Sequence, residues 1–232
     1  MKLLFENWRK YLNEGIDHRI QKQLDMLMAL PDLAIRVEKR NEWSGLHAEG
    51  ARVYYVRLEE GGLETLTTPG DEGEDTNIPE TVYPKGYVEI FRNKSPRDIG
   101  ECLGGWSVYA SEAKQGWGPL LYEVALEWSS QNGNGLTSDR NIVSSYAEAV
   151  WDKYAARSDV DANQMDILHP DWDPFPDYPQ LTPDDPSDDC DQDVAVDKKE
   201  DKWMESPLSR MYFKGTSEVM TALQEAGRLI EK

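Results

Sequence analysis

Apolar residues recur at helical spacing at both ends of the first thirty positions. Leu4, Trp8, Tyr11 and Leu12 share one face of a predicted helix over 2–13. Ile16, Ile20, Leu24, Leu27 and Met28 do the same over 16–30, and Pro31 lies just past the end, where proline commonly follows a helix. The period then shortens to two. Strands are expected at Leu33–Lys39, Arg52–Leu58, Gly86–Arg92 and Gly105–Ala110, since these runs alternate or are rich in β-branched and aromatic residues. Residues 59–82 are acidic and rich in Gly and Thr, and read as a loop or long hairpin tip.

A helical period returns over 119–131. Pro119 suits a first helical position, and Leu120, Leu121, Val124, Ala125 and Trp128 make a buried stripe. Gly133-Asn134-Gly135 ends it. A short strand at Leu136 and Thr137 precedes a helix from about Ser144 to Arg157, with Ser144 or Ser145 as cap and Glu148 at capping-box spacing. Residues 169–207 are dominated by Pro and Asp, bury little, and read as an acidic Pro-rich arm or loop. A short strand (Arg210–Lys214) and a helix capped by Thr216 close the chain.

Composition narrows the classes. A net charge of -19 over 232 residues repels phosphate backbones and anionic lipid heads. Nucleic acid and membrane are therefore not expected as partners, although a local cleft can differ in sign from the whole surface. No apolar run approaches the roughly 20 residues that span a bilayer, and the start lacks a secretory h-region. A cytoplasmic protein is expected. Cys102 and Cys190 form no CxxC or Cys/His cluster, so no zinc site is suggested and two free thiols are expected. His18, His47 and His169 are scattered. Asp189, Asp191, Asp193, Val196, Asp197 and Glu200 fall at calcium-loop spacing, but Val194 stands where the sharp turn wants Gly. No metal site is expected.

The segment from Val108 to Tyr122 carries chemistry. A strand runs into a turn that contains Lys114, Gln115, Gly116, Trp117 and Gly118, and then straight into a helix beginning at Pro119 and Leu120. The first amides of such a helix, with its positive dipole end, make an anion site. Glycine lets a ligand approach the backbone closely. The segment lacks the G-x-x-x-x-G-K-[ST] of a Walker loop, and Leu121 stands where a dinucleotide fingerprint needs its third glycine. It resembles instead the pyrophosphate loop of the GNAT-type N-acetyltransferase superfamily, [RQ]-x-x-G-x-[GA], over Ala113 to Gly118. Val108, Gly116, Gly118, Leu120 and Leu121 match that family's strand, loop and helix without a gap. Ser144 to Trp151 matches the spacing of the family's next helix, N-x-x-A-x-x-x-Y. The likeness covers residues 105–157 and extends to acetyltransferase-like proteins of large tailed phages.

The resemblance implies an α/β fold, with a GNAT-like mixed, mainly antiparallel central sheet flanked by helices. It divides the chain into an N-terminal helix (1–15), an acyl-CoA-binding domain (16–168), the acidic arm (169–207) and a C-terminal strand and helix packed on the domain (208–232). It implies acetyl-CoA as substrate and an unidentified amine or protein as acceptor. Backbone and side chains of Val108, Tyr109, Ala110, Lys114, Gln115, Gly116, Trp117, Gly118, Pro119, Leu120 and Ser144 would bind the coenzyme A thioester. The chain departs from the family at Ala113, the basic or amide position of the loop, and at Trp151, the position of the tyrosine that protonates the leaving thiolate. Tyr154 or Tyr146 is the substitute acid and Glu112 the candidate base. Asp139 and Arg140 follow the short strand and are further candidates for the cleft. A second reading is a catalytically inactive GNAT-like virion-associated or inhibitory binding protein. The tetrapeptide Leu12-Asn13-Glu14-Gly15 resembles a cleavage site for phage maturation proteases, which would make residues 1–14 a capsid-targeting peptide.

Overall fold

The computed structural model describes residues 17–40, 48–59, 62–65, 85–93, 100–139, 143–168, 181–182, 185–191 and 200–232. The expected helix over 2–13, the tetrapeptide at 12–15, Arg140, His47, His169 and most of the 59–82 loop and the acidic arm lie outside them.

The described chain is α/β, with a mixed main sheet, a separate two-stranded sheet and four α-helices among the described residues. Helix α1 (His18–Met28) opens on Asp17, whose carboxylate accepts from the Arg19 amide. Strands β1 (Leu33–Arg40), β2 (Ala48–Glu59), β3 (Gly62–Thr65), β4 (Gly86–Asn93) and β5 (Trp106–Ala113) follow. Then come α2 (Gly118–Asn132), β6 (Leu136–Thr137), α3 (Ser145–Ala156), β7 (Asp161–Gln164), β8 (Asp166–Leu168) and β9 (Asp189–Asp191). Strand β10 (Arg210–Phe213), α4 (Glu218–Glu225) and β11 (Leu229–Glu231) complete the order.

The main sheet runs β11-β1-β2-β4-β5-β6-β10-β7, with β3 paired to β2. It is mostly antiparallel. The β1–β11 and β5–β6 pairs are parallel. Period-two alternation decides its faces. On β2, Ala51, Val53 and Tyr55 join the main core with Ile35, Val88 and Ile90, while Tyr54 and Val56 form a smaller cluster with Ala34 on the other face.

Several elements differ from the expected pattern. Helix α2 is buried on all sides from Leu120 to Ser130 and not along one stripe, because α1, α4 and the sheet all pack against it. The last helix begins at Glu218 after Ser217, and the chain ends as a strand beside β1. That strand carries only three residues, too few to show a period. Cys102 and Cys190 are joined in a disulfide, which corrects the expectation of two free thiols. They lie 88 positions apart, with Cα atoms 4.6 Å apart. The bond ties the turn before β5 to β9, and beside it the Glu101 and Leu103 amides donate to the Pro186 and Ser187 carbonyls.

Candidate functional site: a cleft at the β5–β6 fork

Strands β5 and β6 pair over two positions only, Trp106 with Leu136 and Ser107 with Thr137. Beyond them β5 continues to Ala113, while β6 ends at Thr137. Among the described residues, the side of β5 facing β6 is thus without a neighbouring strand from Val108 onward. A backbone edge of this kind offers unsatisfied amides and carbonyls. Two adjoining cavities occupy the opening, an inner one of ≈ 290 Å³ and an outer one of ≈ 560 Å³.

The other edge of β5 is irregular. Glu89 pairs with Ala110 and Ile90 with Val108, so Tyr109 has no partner and forms a bulge. A bulge shifts the alternation by one. Val108 and Ser111 therefore share a face, as their partners Ile90 and Val88 do in the core. This aims Ser111 at α2, where its hydroxyl lies 2.8 Å from that of Tyr122. Strict alternation from Val108 would have placed Ala110 and Glu112 there, which is why Ser111 was not legible as a site residue.

At the far end of β5 the chain turns through Gln115 and Gly116, with φ of 88° at Gly116. That conformation favours glycine. The turn is fastened from behind. The Gln23 side chain on α1 donates to the Gly116 carbonyl and accepts from the Leu120 amide at 2.7 Å. The Tyr55 hydroxyl donates to the Trp117 carbonyl at 2.9 Å, and its ring meets the Trp117 indole edge-on at 5.6 Å. The amides of Gln115, Gly116 and Gly118 have no partner among the described residues. They lie where a helix N-terminus leaves donors open. Ser144, whose hydroxyl accepts from the Ala147 amide, brings the N-terminus of α3 to the same cleft. Two positive helix ends thus converge on it, with Lys114 and Lys153 in the lining.

The fork gathers most of the residues expected from sequence. Val108 and Ala110 line the inner cavity. Glu112, Lys114, Gln115, Gly116, Gly118 and Pro119 line the outer one, and Ser144 lines both. Four expected residues line neither. Tyr109 projects outward from the bulge against Phe91. Trp117 and Leu120 point into the core, and the Leu120 amide is already held by Gln23. Tyr154 is 3% exposed, packed against Trp151 and Tyr212, with no hydrogen-bond partner for its hydroxyl among the described residues. Tyr146 sits on the rim, 89% exposed. Asp139 lines the inner cavity, as does Trp151.

Tyr122 lines both cavities and was not expected. Its ring meets the Trp151 indole edge-on at 6.0 Å. Burial raises its pKa, with the Asp139 charge adding to the rise and the Ser111 hydrogen bond opposing it. The phenol therefore stays protonated at neutral pH. Gln23 too was missed: as one polar residue in an amphipathic helix it carries no signal by itself.

A separate acidic group lies near the disulfide. Ligand atoms of Asp166, Asp188 and Asp189 lie within 4.8 Å of one another, a spacing that a cation could bridge. Asp166 accepts from the Leu181 and Thr182 amides. The 192–199 part of the calcium-loop spacing lies outside the described residues.

No protein-family model matches the sequence, and no curated protein or solved structure matches it.

Proposed function

We propose that the protein is a GNAT-type N-acyltransferase that takes acetyl-CoA as donor and an amine as acceptor. The observation that carries this reading is the fork: a bulged strand that, on one side and among the described residues, has only a short parallel partner, running into a glycine turn at a helix N-terminus. A pyrophosphate needs open amides and positive helix ends, and the Gln115–Gly118 turn and the start of α3 offer both. A pantetheine arm carries amides of its own, which pair with the open edge of β5 as a further strand would. Acyl transfer asks little else of the protein: a thioester held in place, its carbonyl polarised, and protons moved. Glu112, on the outer lining, is the base of this reading.

A second reading rests on Trp151. A buried indole stands where the resemblance implies an acid, and it walls the inner cavity. A protein that binds the thioester, or a partner, without turning it over would tolerate that replacement.

Calorimetric titration with acetyl-CoA tests the proposal. Saturable binding at micromolar concentration is expected. Absence of heat up to millimolar ligand would sink it, and binding without thiol release across a panel of amines would favour the second reading.

A further inference from the structure

We propose that Tyr122, on α2, is the proton donor to the departing thiolate in this cleft, with Ser111 as the residue that orients it. The inference rests on the acyltransferase reading above. Three observations place the chemistry there. First, Tyr122 lines both the inner cavity and the outer, anion-favouring one, as does Ser111, to which its hydroxyl is hydrogen-bonded. Second, the bulge at Tyr109 brings the Ser111 hydroxyl to 2.8 Å from it. When Ser111 donates in that contact, the phenolic proton is left to point into the cavity. Third, the ring is held edge-on against Trp151, so the indole that replaces an acid fixes the orientation of another.

The other tyrosines fit the role poorly. Tyr154 lines neither cavity, and Tyr146 is bathed in water at the rim. Tyr87 lines only the outer part and packs beneath the Arg52 guanidinium at 4.5 Å. The charged groups facing Tyr122 are Asp139 after β6, Glu112 and Lys114 at the end of β5, and Lys153 on α3. Glu123, its neighbour on α2, is turned away to Lys214 and Arg157.

The step balances. The amine nitrogen bonds to the thioester carbonyl carbon, the carbon–sulfur bond breaks, and the electron pair stays on sulfur. The Tyr122 hydroxyl gives that sulfur its proton. The proton lost by the attacking nitrogen passes to Glu112, the base of the acyltransferase reading, and from there to solvent, which reprotonates the phenolate. The products are an amide and free coenzyme A.

A test that needs no acceptor uses coenzyme A itself. The ultraviolet absorbance of the bound thiolate is followed against pH in the wild type, Tyr122→Phe and Ser111→Ala. A hydroxyl donating to sulfur stabilises the thiolate. The bound thiol should therefore titrate about one pH unit lower in the wild type than in Tyr122→Phe, with Ser111→Ala between them. The affinity for coenzyme A should change by less than about threefold, because the contact is one hydrogen bond among many. Identical titrations in the wild type and Tyr122→Phe overturn the proposal while leaving the acyltransferase reading standing. Failure of coenzyme A to bind the wild type overturns both. Ser111 is exposed, so its variant keeps the test available if the buried Phe disturbs packing.

Discussion

Tyr122 and Glu123 are consecutive on α2, yet they look into opposite kinds of surroundings. Tyr122 faces the fork, where amides, hydroxyls and lysines surround empty space. Glu123 faces a closed ionic cluster. The Arg157 guanidinium grips it through both nitrogens at 2.6 and 2.8 Å, and Lys214 Nζ lies 2.8 Å away. Lys214 also reaches Glu127 at 2.7 Å and Glu218 at 2.9 Å. Glu127 in turn accepts from the Val219 and Met220 amides and so caps α4. The contrast teaches where this fold keeps polar groups for structure and where it leaves them for a ligand. Charges that bind α2, α3, β10 and α4 to one another are mutually satisfied. At the fork, the amides of Gln115, Gly116 and Gly118 have no partner among the described residues.

Breaking the closed side should have the largest effect. Lys214→Met leaves the fully buried carboxylates of Glu123 and Glu127 without their shared cation. A loss of about 3–5 kcal/mol in unfolding free energy is expected by denaturant titration. A loss below about 1 kcal/mol would show that water reaches the cluster.

The same cluster predicts a pH dependence. Burial pushes the Glu127 carboxyl up to about 7, against the pull of Lys214. Between the unfolded value near 4.5 and about 7, the folded chain holds a proton that the unfolded chain has lost. This group's stabilisation is thus fully present below about 4.5 and disappears as pH rises through 7. Asp159 and Glu218 act in the opposite sense. Burial would raise both, but hydrogen bonds and charge from Arg157 (for Asp159) and from Thr216 and Lys214 (for Glu218) lower them. Their contribution is lost as pH falls through the acid range. The thermal midpoint should therefore peak at mildly acidic pH, and Glu127→Gln should flatten the limb between 4.5 and 7 by roughly 1–3 kcal/mol. An unchanged limb would assign it to another group.

The open side should respond more gently in stability and more strongly in binding. Gln23→Leu strips the Gly116 carbonyl and the Leu120 amide of their partner. It should cost about 1–2 kcal/mol and weaken acetyl-CoA binding about tenfold, since the turn loses the brace that aims its amides. Unaltered affinity would mean that the turn holds its shape without α1.

Much of the framework was legible. The helical periods of 16–30 and 144–157, the strands around Arg52–Leu58 and Gly86–Arg92, and the Gly116–Gly118 turn all follow from local pattern and glycine chemistry. Glu123 and Glu127 were legible only as two carboxylates at i and i+4 within an apolar helix. What neutralised them, Arg157 and Lys214, stood 34 and 87 or more positions away. Strands β3, β7, β8, β9 and β11 were missed: each has four residues or fewer, too short for a clear period, and among strands that short only β6 and β10 were expected.

By itself the sequence determined the longer helices and strands and the glycine turn at 116–118, because these depend on residues within a few positions of one another. It determined that Pro119 could open a helix and that Trp151 could not serve as an acid. Only the tertiary structure decided which groups meet. The bulge at Tyr109 moved Ser111 to the face of Tyr122, the parallel β5–β6 pair opened after two residues, and Gln23 reached across 93 positions to hold Gly116. The disulfide between Cys102 and Cys190 was decided the same way, by the contact of the turn before β5 with the segment leading into β9. The physical reason is common to all of them. Register and strand divergence are set by packing across the whole sheet, and one residue of slip reverses every side chain that follows.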